Sequence, residues 1–173
     1  MSERPSEGPP ETGAVAEPGG QPEAETLTQV AEEFEGMEVD APRVGIVMGS
    51  KSDMPEMEKA GAELDERGIH YEIRVMSAHR EPDVVTEYAK NAQMRGLKVI
   101  IAGAGLSAAL PGVCAAHTEL PVIGVPLTSK NSAAGGLDAL LASAQMPPGV
   151  PVACVGLNSA RNAAILAARI ILS

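Results

Sequence analysis

The stretch that decides the fold is Val99-Ile-Ile-Ala-Gly-Ala-Gly-Leu-Ser-Ala-Ala-Leu-Pro-Gly112, in which an apolar run leads directly into glycines and small residues. An apolar run without polar alternation is typical of a strand that is buried on both faces, as in a parallel sheet covered by helices. The glycines allow the backbone to turn sharply and to approach a ligand closely. We therefore predict a buried strand over Lys98–Ala102, a turn at Gly103–Gly105, and then a helix.

The same alternation of strand-like and helix-like segments extends from Arg43 to the end of the sequence. Apolar runs predict further strands at Val44–Met48, Pro121–Val125 and Val150–Val155, and the more polar Tyr71–Met76 is predicted as a fourth. Periodic apolar residues predict helices between and after them. Five β/α units in this order predict a three-layer α/β/α fold with a central parallel sheet, flavodoxin-like or Rossmann-like.

The helix signals carry more detailed expectations. Asp53 and Glu56 have the spacing of a capping box, so Asp53 is predicted to cap the first helix. The second helix begins at Pro82, and the pattern assigns Val84 and Met94 to its buried face. The Tyr71–Met76 strand is more polar than the others, which favours a position near an edge of the sheet.

The negative charge of the sequence is concentrated in its first 40 residues. The formal net charge is -10, and residues 1–40 account for all of it because acids and bases balance over residues 41–173. The segment 1–40 is rich in Pro, Glu, Gly and Ser, so we interpret it as a disordered acidic extension, with a short helix over 23–38 as an option. Residues 41–173 form the predicted folded domain.

Several classes of partner are disfavoured by composition. The folded part has no basic stripe of the kind that nucleic acids require. No apolar run approaches the roughly 20 residues that span a bilayer, and the acidic N-terminus is unlike a secretory signal. We therefore expect a cytoplasmic protein with a small-molecule ligand, without a nucleic-acid or membrane partner.

Polar residues follow the first two predicted strands, at Gly49–Asp53 and Ser77–Arg80. The hydroxyls of Ser50 and Ser52, with free amides at a helix N-terminus, suit a phosphate, and a carboxylate such as Asp53 suits ribose hydroxyls. The alternative is that Asp53 is only a helix cap and the serines only form a turn. Spacing alone favours neither interpretation.

His79 and Arg80 are the next candidates. Histidine is the side chain whose unperturbed pKa suits proton transfer in both directions near neutrality, and arginine can pair with a phosphate through two parallel hydrogen bonds. His70 and His117 are interpreted as structural. No group of histidines and acids has metal-ligand spacing, so no metal is expected.

A set of short motifs occurs in order over residues 43–172. They are Val47-Met-Gly-Ser-Lys-Ser-Asp53, Ser77-Ala-His-Arg-x-Pro82, Ile100-Ile-Ala-Gly-Ala-Gly105, Leu110-Pro-Gly112, Leu120-Pro-Val-Ile-Gly-Val-Pro126, Gln145-Met-Pro147, Gly149-Val-Pro151 and Asn162-Ala-Ala. In these motifs the sequence resembles the N5-carboxyaminoimidazole ribonucleotide (N5-CAIR) mutases, the class I-like PurE proteins of the AIR carboxylase family.

The resemblance implies an enzyme of de novo purine (IMP) biosynthesis that converts N5-CAIR to 4-carboxy-5-aminoimidazole ribonucleotide (CAIR) without a cofactor. It implies decarboxylation followed by recarboxylation, with His79 as the general acid and base. The implied substrate-binding residues are Ser50, Ser52, Asp53, Ser77, Arg80, Gly103 and Gly105. It also implies a homo-oligomer, an octamer by family expectation, and a functional link to an ATP-dependent N5-CAIR synthetase.

One departure from the family pattern leaves alternatives open. Ala109 stands where many mutases have a histidine before Leu-Pro-Gly. An aminoimidazole ribonucleotide (AIR) carboxylase that uses carbon dioxide directly is therefore an alternative, as is a related carboxylase of a pyridine nucleotide. A non-catalytic, flavodoxin-like nucleotide-binding module is a third alternative, and it would give His79 no role.

Overall fold

The computed structural model describes residues 41–173, which are built on a parallel sheet of five strands. The strands are β1 (Val44–Met48), β2 (Tyr71–Val75), β3 (Val99–Gly105), β4 (Val122–Leu127) and β5 (Ala153–Cys154). Their order is β2-β1-β3-β4-β5, and each neighbouring pair is parallel. The predicted fold class and the edge position of β2 are confirmed. The expectations for residues 1–40 lie outside the described residues.

Helices cover both faces of the sheet. They are α1 (Met54–Asp65), α2 (Pro82–Asn91), α3 (Ala109–Ala116), α4 (Leu137–Ala144) and α5 (Ala160–Leu172). One core lies between the sheet and α1 with α5, and a second lies between the sheet and α2, α3 and α4. None of the helices between residues 41 and 173 is long and apolar enough to cross a membrane.

Packing against α5 fixes the position of α1, the helix whose N-terminus lies near the end of β1. Fully buried alanines of α5, including Ala164 and Ala168, allow the two helices to pack closely. Glu63 of α1 is only 4% exposed. It accepts hydrogen bonds of 2.6 Å from Arg161 Nε and from Arg67 Nη2, and these two arginines lower the pKa of its carboxyl group. The buried charge is thus paired on both oxygens.

Two strands differ in length from the prediction. β3 continues to Gly105 instead of ending at Ala102, because Ala104 and Gly105 still pair with Pro126 and Leu127 of β4. The predicted turn at Gly103–Gly105 is therefore wrong. β5 has only two residues, and the Pro151 that precedes it has no N–H to donate to a ladder.

Two helix expectations are also wrong. Asp53 occupies the N-cap position of α1 as predicted, but its side chain makes no capping hydrogen bond, so the expected capping box is wrong. Glu56 instead accepts a hydrogen bond from the backbone N–H of Ala160 at 3.4 Å. Met94 is 82% exposed and Val84 is 50% exposed, so neither belongs to the core. Met94 follows the end of α2, where helical periodicity no longer sets the direction of a side chain.

Candidate active site

The register of the strands brings four chain segments to one edge of the sheet. Met76 N donates to Met48 O at 2.8 Å, so the segments after β1 and β2 start side by side. Met48 is level with Gly103 of β3, so Ala104 and Gly105 extend past the end of β1. Gly105 is level with Leu127, where β4 ends. Ligands of open α/β sheets bind at this carboxyl edge.

A cavity of about 510 Å³ lies at this edge. Among the predicted substrate-binding and catalytic residues, those that line it are Ser50, Ser52, Asp53, Ser77, His79, Arg80 and Gly105. The structure therefore brings together the turns after β1 and β2 and the end of β3. A larger cavity of about 720 Å³ lies at the opposite edge, beside the start of β4, away from where strand ends bind ligands.

Gly103 does not line the 510 Å³ cavity. It lies inside β3, and a Cβ atom at this position would collide with the sulfur of Met57 from α1. The absence of a side chain at Gly103 therefore serves the packing of α1 on the sheet.

The turn after β1 holds the two serines and Asp53. Ser50 Oγ accepts hydrogen bonds from Ser52 N at 3.3 Å and from Ser52 Oγ at 2.9 Å, which closes a short 3-10 turn before α1. Burial raises the pKa of the Asp53 carboxyl group, and polar contacts with Ser50 and Ser52 oppose that shift in part. A half-buried carboxylate without a cap hydrogen bond is free to accept hydrogen bonds from a ligand.

The turn after β2 presents His79. Ser77 is 8% exposed, and its hydroxyl accepts a hydrogen bond from Arg80 N at 3.4 Å. Arg80 Nη2 donates to Gly49 O at 2.7 Å, which joins this turn to the one after β1. His79 is exposed between these anchored residues, so its imidazole is accessible from the cavity.

The turn after β3 is strained. Leu106 and Ala108 have positive φ values of 56° and 27°, a region that side chains other than glycine, asparagine and aspartate rarely adopt. Such conformations cost on the order of 1–3 kcal/mol each and are concentrated at functional sites. Both residues line the cavity, as does Ala109 at the start of α3.

Sequence reasoning missed a fourth wall. Thr128, Ser129 and Asn131 line the cavity from the loop after β4. The loop is polar and rich in glycine, but we assigned no binding residue to it. The position of the loop after a buried strand, by the rule applied to β1 and β2, is the signal that could have identified it.

The lining combines one acid, one guanidinium and one imidazole with several hydroxyl groups: Asp53, Arg80 and His79 stand with Ser50, Ser52, Ser77, Thr128 and Ser129. Such a set can bind a phosphate and a polyol and can transfer a proton. Among residues 41–173, no group of three or more His, Cys, Asp or Glu side chains could hold a metal ion.

Comparison with known proteins identifies the family. The model of the AIR carboxylase family matches residues 43–173. The chain belongs to the AIR carboxylase family. It is 60% identical over 130 residues to an N5-carboxyaminoimidazole ribonucleotide mutase of Thermotoga maritima, a match that covers 75% of each chain. The resemblance found in the motifs is thereby confirmed.

Two other similar proteins show which names are given to members of the family. A phosphoribosylaminoimidazole carboxylase of Schizosaccharomyces pombe is 54% identical over 133 residues, which are 77% of this chain and 24% of that protein. The crystal structure of Treponema denticola PurE superimposes with a TM-score of 0.67 at 38% identity, covering 76% of this chain and 80% of that one. Proteins named as mutases and as carboxylases thus share this domain.

The raised pKa of Asp53 predicts that Asp53→Asn stabilises the protein. Because the ionised carboxylate is disfavoured in the folded state, the folded state loses stability as the pH rises through the raised pKa. The Tm of Asp53→Asn should therefore exceed that of the unchanged protein at neutral pH, and the difference should vanish near about pH 3, where both states are protonated.

Thermal unfolding followed by circular dichroism at the two pH values measures this difference. Asp83→Asn is the matched control, because Asp83 is an exposed acid in the first turn of α2. A Tm of Asp53→Asn below that of the unchanged protein at neutral pH would show that Asp53 stabilises the fold as a cap.

Proposed function

We propose that this protein is an N5-CAIR mutase, an isomerase that converts N5-CAIR to CAIR in purine biosynthesis. The observation that carries the proposal is the exposed imidazole of His79 in one cavity with Arg80 and Asp53. The names of relatives that are 53–60% identical to the chain support it, since those of Thermotoga maritima, Pyrococcus abyssi and Pseudomonas aeruginosa are N5-carboxyaminoimidazole ribonucleotide mutases.

The two ends of the substrate have suitable partners in the cavity. Arg80, with the hydroxyls of Ser50 and Ser52 and the N-terminus of α1, binds the phosphate. Asp53 accepts hydrogen bonds from the ribose hydroxyls. Ser77 shapes the turn that carries His79. Gly105 lines the cavity without a side chain and lets the aminoimidazole ring of the substrate lie close to β3.

His79 both donates and accepts a proton in the reaction. It protonates the carbamate nitrogen, the bond between that nitrogen and the carboxyl carbon breaks, and carbon dioxide is released beside AIR. C4 of the ring then attacks the carbon dioxide and forms a carbon–carbon bond. His79, now neutral, removes the proton from C4 and restores the aromatic ring. One group suffices because each turnover returns its proton.

The carbon dioxide must stay in the site between the two steps. Holding it against C4 turns its recapture into an intramolecular step. We assign the retention of carbon dioxide to two walls of the cavity, the turn that begins at Gly105 and the loop after β4. Because His79 is exposed in the single chain, water exclusion requires a further covering surface.

We infer that a homo-oligomer, an octamer, supplies the covering surface. Large apolar side chains exposed on the single chain support this, namely Val84, Met94, Leu137, Leu141 and Leu172. A sedimentation mass equal to one chain would exclude the oligomer.

We also propose that the enzyme acts in the cytoplasm, downstream of an ATP-dependent synthetase that makes the labile carbamate.

An AIR carboxylase that uses carbon dioxide directly is the second candidate. The carboxylase relative of Schizosaccharomyces pombe and the small Ala109 side chain on the cavity wall favour it. Relatives that are 55–60% identical, and of which the match covers about three quarters, carry the mutase name, which favours the mutase.

A direct comparison of substrates tests the proposal. The purified protein should convert N5-CAIR rapidly to CAIR and should act slowly on AIR at low bicarbonate, because the carbamate delivers its carbon dioxide within the site. The ultraviolet absorbance of CAIR follows both reactions. Rapid conversion of AIR with carbon dioxide alone would identify a carboxylase, and no product from either would refute both enzymes.

The role of His79 predicts the behaviour of His79→Asn. Asparagine retains polarity and approximate size but cannot transfer a proton. The kcat should therefore fall by roughly 10²–10⁴-fold or more, because a general acid–base contributes a factor of that size. Nucleotide affinity, measured by calorimetry, should be retained.

His70→Asn is the matched control for His79→Asn. His70 precedes β2 at the opposite edge of the sheet, and its backbone oxygen, rather than its ring, accepts hydrogen bonds from Arg43 and Val44. This control should therefore turn over normally. Normal turnover by His79→Asn would leave the imidazole without a catalytic role.

A further inference from the structure

Asn158 lies between β5 and α5 and makes three hydrogen bonds to the end of β4. Its φ of 50° lies in the left-handed region, which asparagine adopts more readily than most residues. Asn158 N donates to Pro126 O at 2.9 Å. Its side-chain Oδ1 accepts from Thr128 N at 2.9 Å, and its Nδ2 donates to Thr128 Oγ1 at 2.6 Å. One side chain thus satisfies both polar groups of Thr128 that face it.

Thr128 is the base of the loop that forms the fourth cavity wall. The loop spans residues 128–136, and a Cβ atom at Gly136 would collide with Thr128 Cγ2, so the two ends of the loop touch. Gly136 has a φ of 105°, which makes glycine necessary there for a second reason. Within the loop, Ser129 N donates to Ser132 Oγ at 2.9 Å. The two ends of the loop are therefore in contact, and Thr128 forms its first residue and its contact with β4.

We propose that Asn158 is a positioning residue, which acts through Thr128 to hold Ser129 and Asn131 against the bound nucleotide. Ser129 and Asn131 line the cavity, whereas Asn158 does not. A change in the place of Thr128 moves the whole closed loop, since both loop ends meet at that residue. The inference rests on the proposed function in one respect, namely that the nucleotide binds in this cavity.

Two substitutions separate the side chain of Asn158 from its backbone. Asn158→Gly tolerates the positive φ and keeps the N–H that bonds to Pro126, but it removes both side-chain bonds to Thr128. Asn158→Asp keeps an acceptor for Thr128 N, and its second oxygen can accept from the Thr128 hydroxyl. The aspartate variant should therefore rescue what the glycine variant loses.

Steady-state kinetics of the full chain with N5-CAIR provide the first test. Asn158→Gly should lower kcat/KM by about tenfold, the factor that corresponds to one hydrogen bond of ordinary strength, mainly through a higher KM. Its Tm should stay close to that of the unchanged protein, and Asn158→Asp should restore KM. An unchanged KM in Asn158→Gly would overturn the inference. So would an equal loss of kcat/KM in Asn158→Gly and Asn158→Asp that parallels a loss of Tm in both variants.

Hydrogen–deuterium exchange of the full chain tests the positioning without turnover. In Asn158→Gly the amides of residues 129–135 should exchange faster than in the unchanged protein, while those of β4 keep their rates. If the unchanged protein fails to convert N5-CAIR, the proposed function fails, and the exchange still decides whether Asn158 holds the loop. Equal exchange in the two proteins would overturn the inference even for an active enzyme.

Discussion

The site depends on β3 running through the middle of the sheet as far as Gly105. This is possible because Gly103 leaves room for the side chain of Met57, which packs on the strand where a Cβ atom would otherwise lie. With that contact in place, Met48 is level with Gly103, and the end of β3 extends beside the turn that carries Ser50. The relative position of these two walls of the cavity therefore follows from the register of β1 and β3, which the packing of Met57 on Gly103 accompanies.

Burial explains which parts of the fold could be predicted from the sequence. Apolar runs predict the three central strands β1, β3 and β4, because strands buried on both faces tolerate few polar residues. The predicted strands place Ser50, Asp53, His79 and Arg80 after strand ends, and the structure brings these four together. Parallel strands must end at one edge, so the position of these residues follows from the fold class alone.

What the sequence did not reveal depends on contacts between distant residues. Glu56 has the spacing of a capping box but instead reaches Ala160, which is 104 residues further along the chain. Glycines in β3 were interpreted as a turn because local preference cannot show that β4 supplies a hydrogen-bonding partner. The contact of Thr128 with Asn158 could not be predicted for a related reason, since it joins residues that are 30 positions apart.

The candidate site carries local energetic costs. Asp53 is held partly out of water, and Leu106 and Ala108 adopt unfavourable backbone angles around the same cavity. These costs are offset elsewhere, for example by the burial of the alanines of α5 against α1. Functional sites commonly carry such local costs, and a well-packed framework tolerates them.

The hydrogen bond from Arg80 to Gly49 O has a consequence for the energetics of anion capture. A free arginine side chain carries about 2 kcal/mol of rotamer entropy, part of which is lost whenever it grips a ligand. In this fold one nitrogen of the guanidinium is already bonded to the turn after β1, so part of that entropy is given up when the chain folds. For the phosphate that we propose binds here, the remaining N–H groups of Arg80 are thereby preorganised, and association needs correspondingly less ordering.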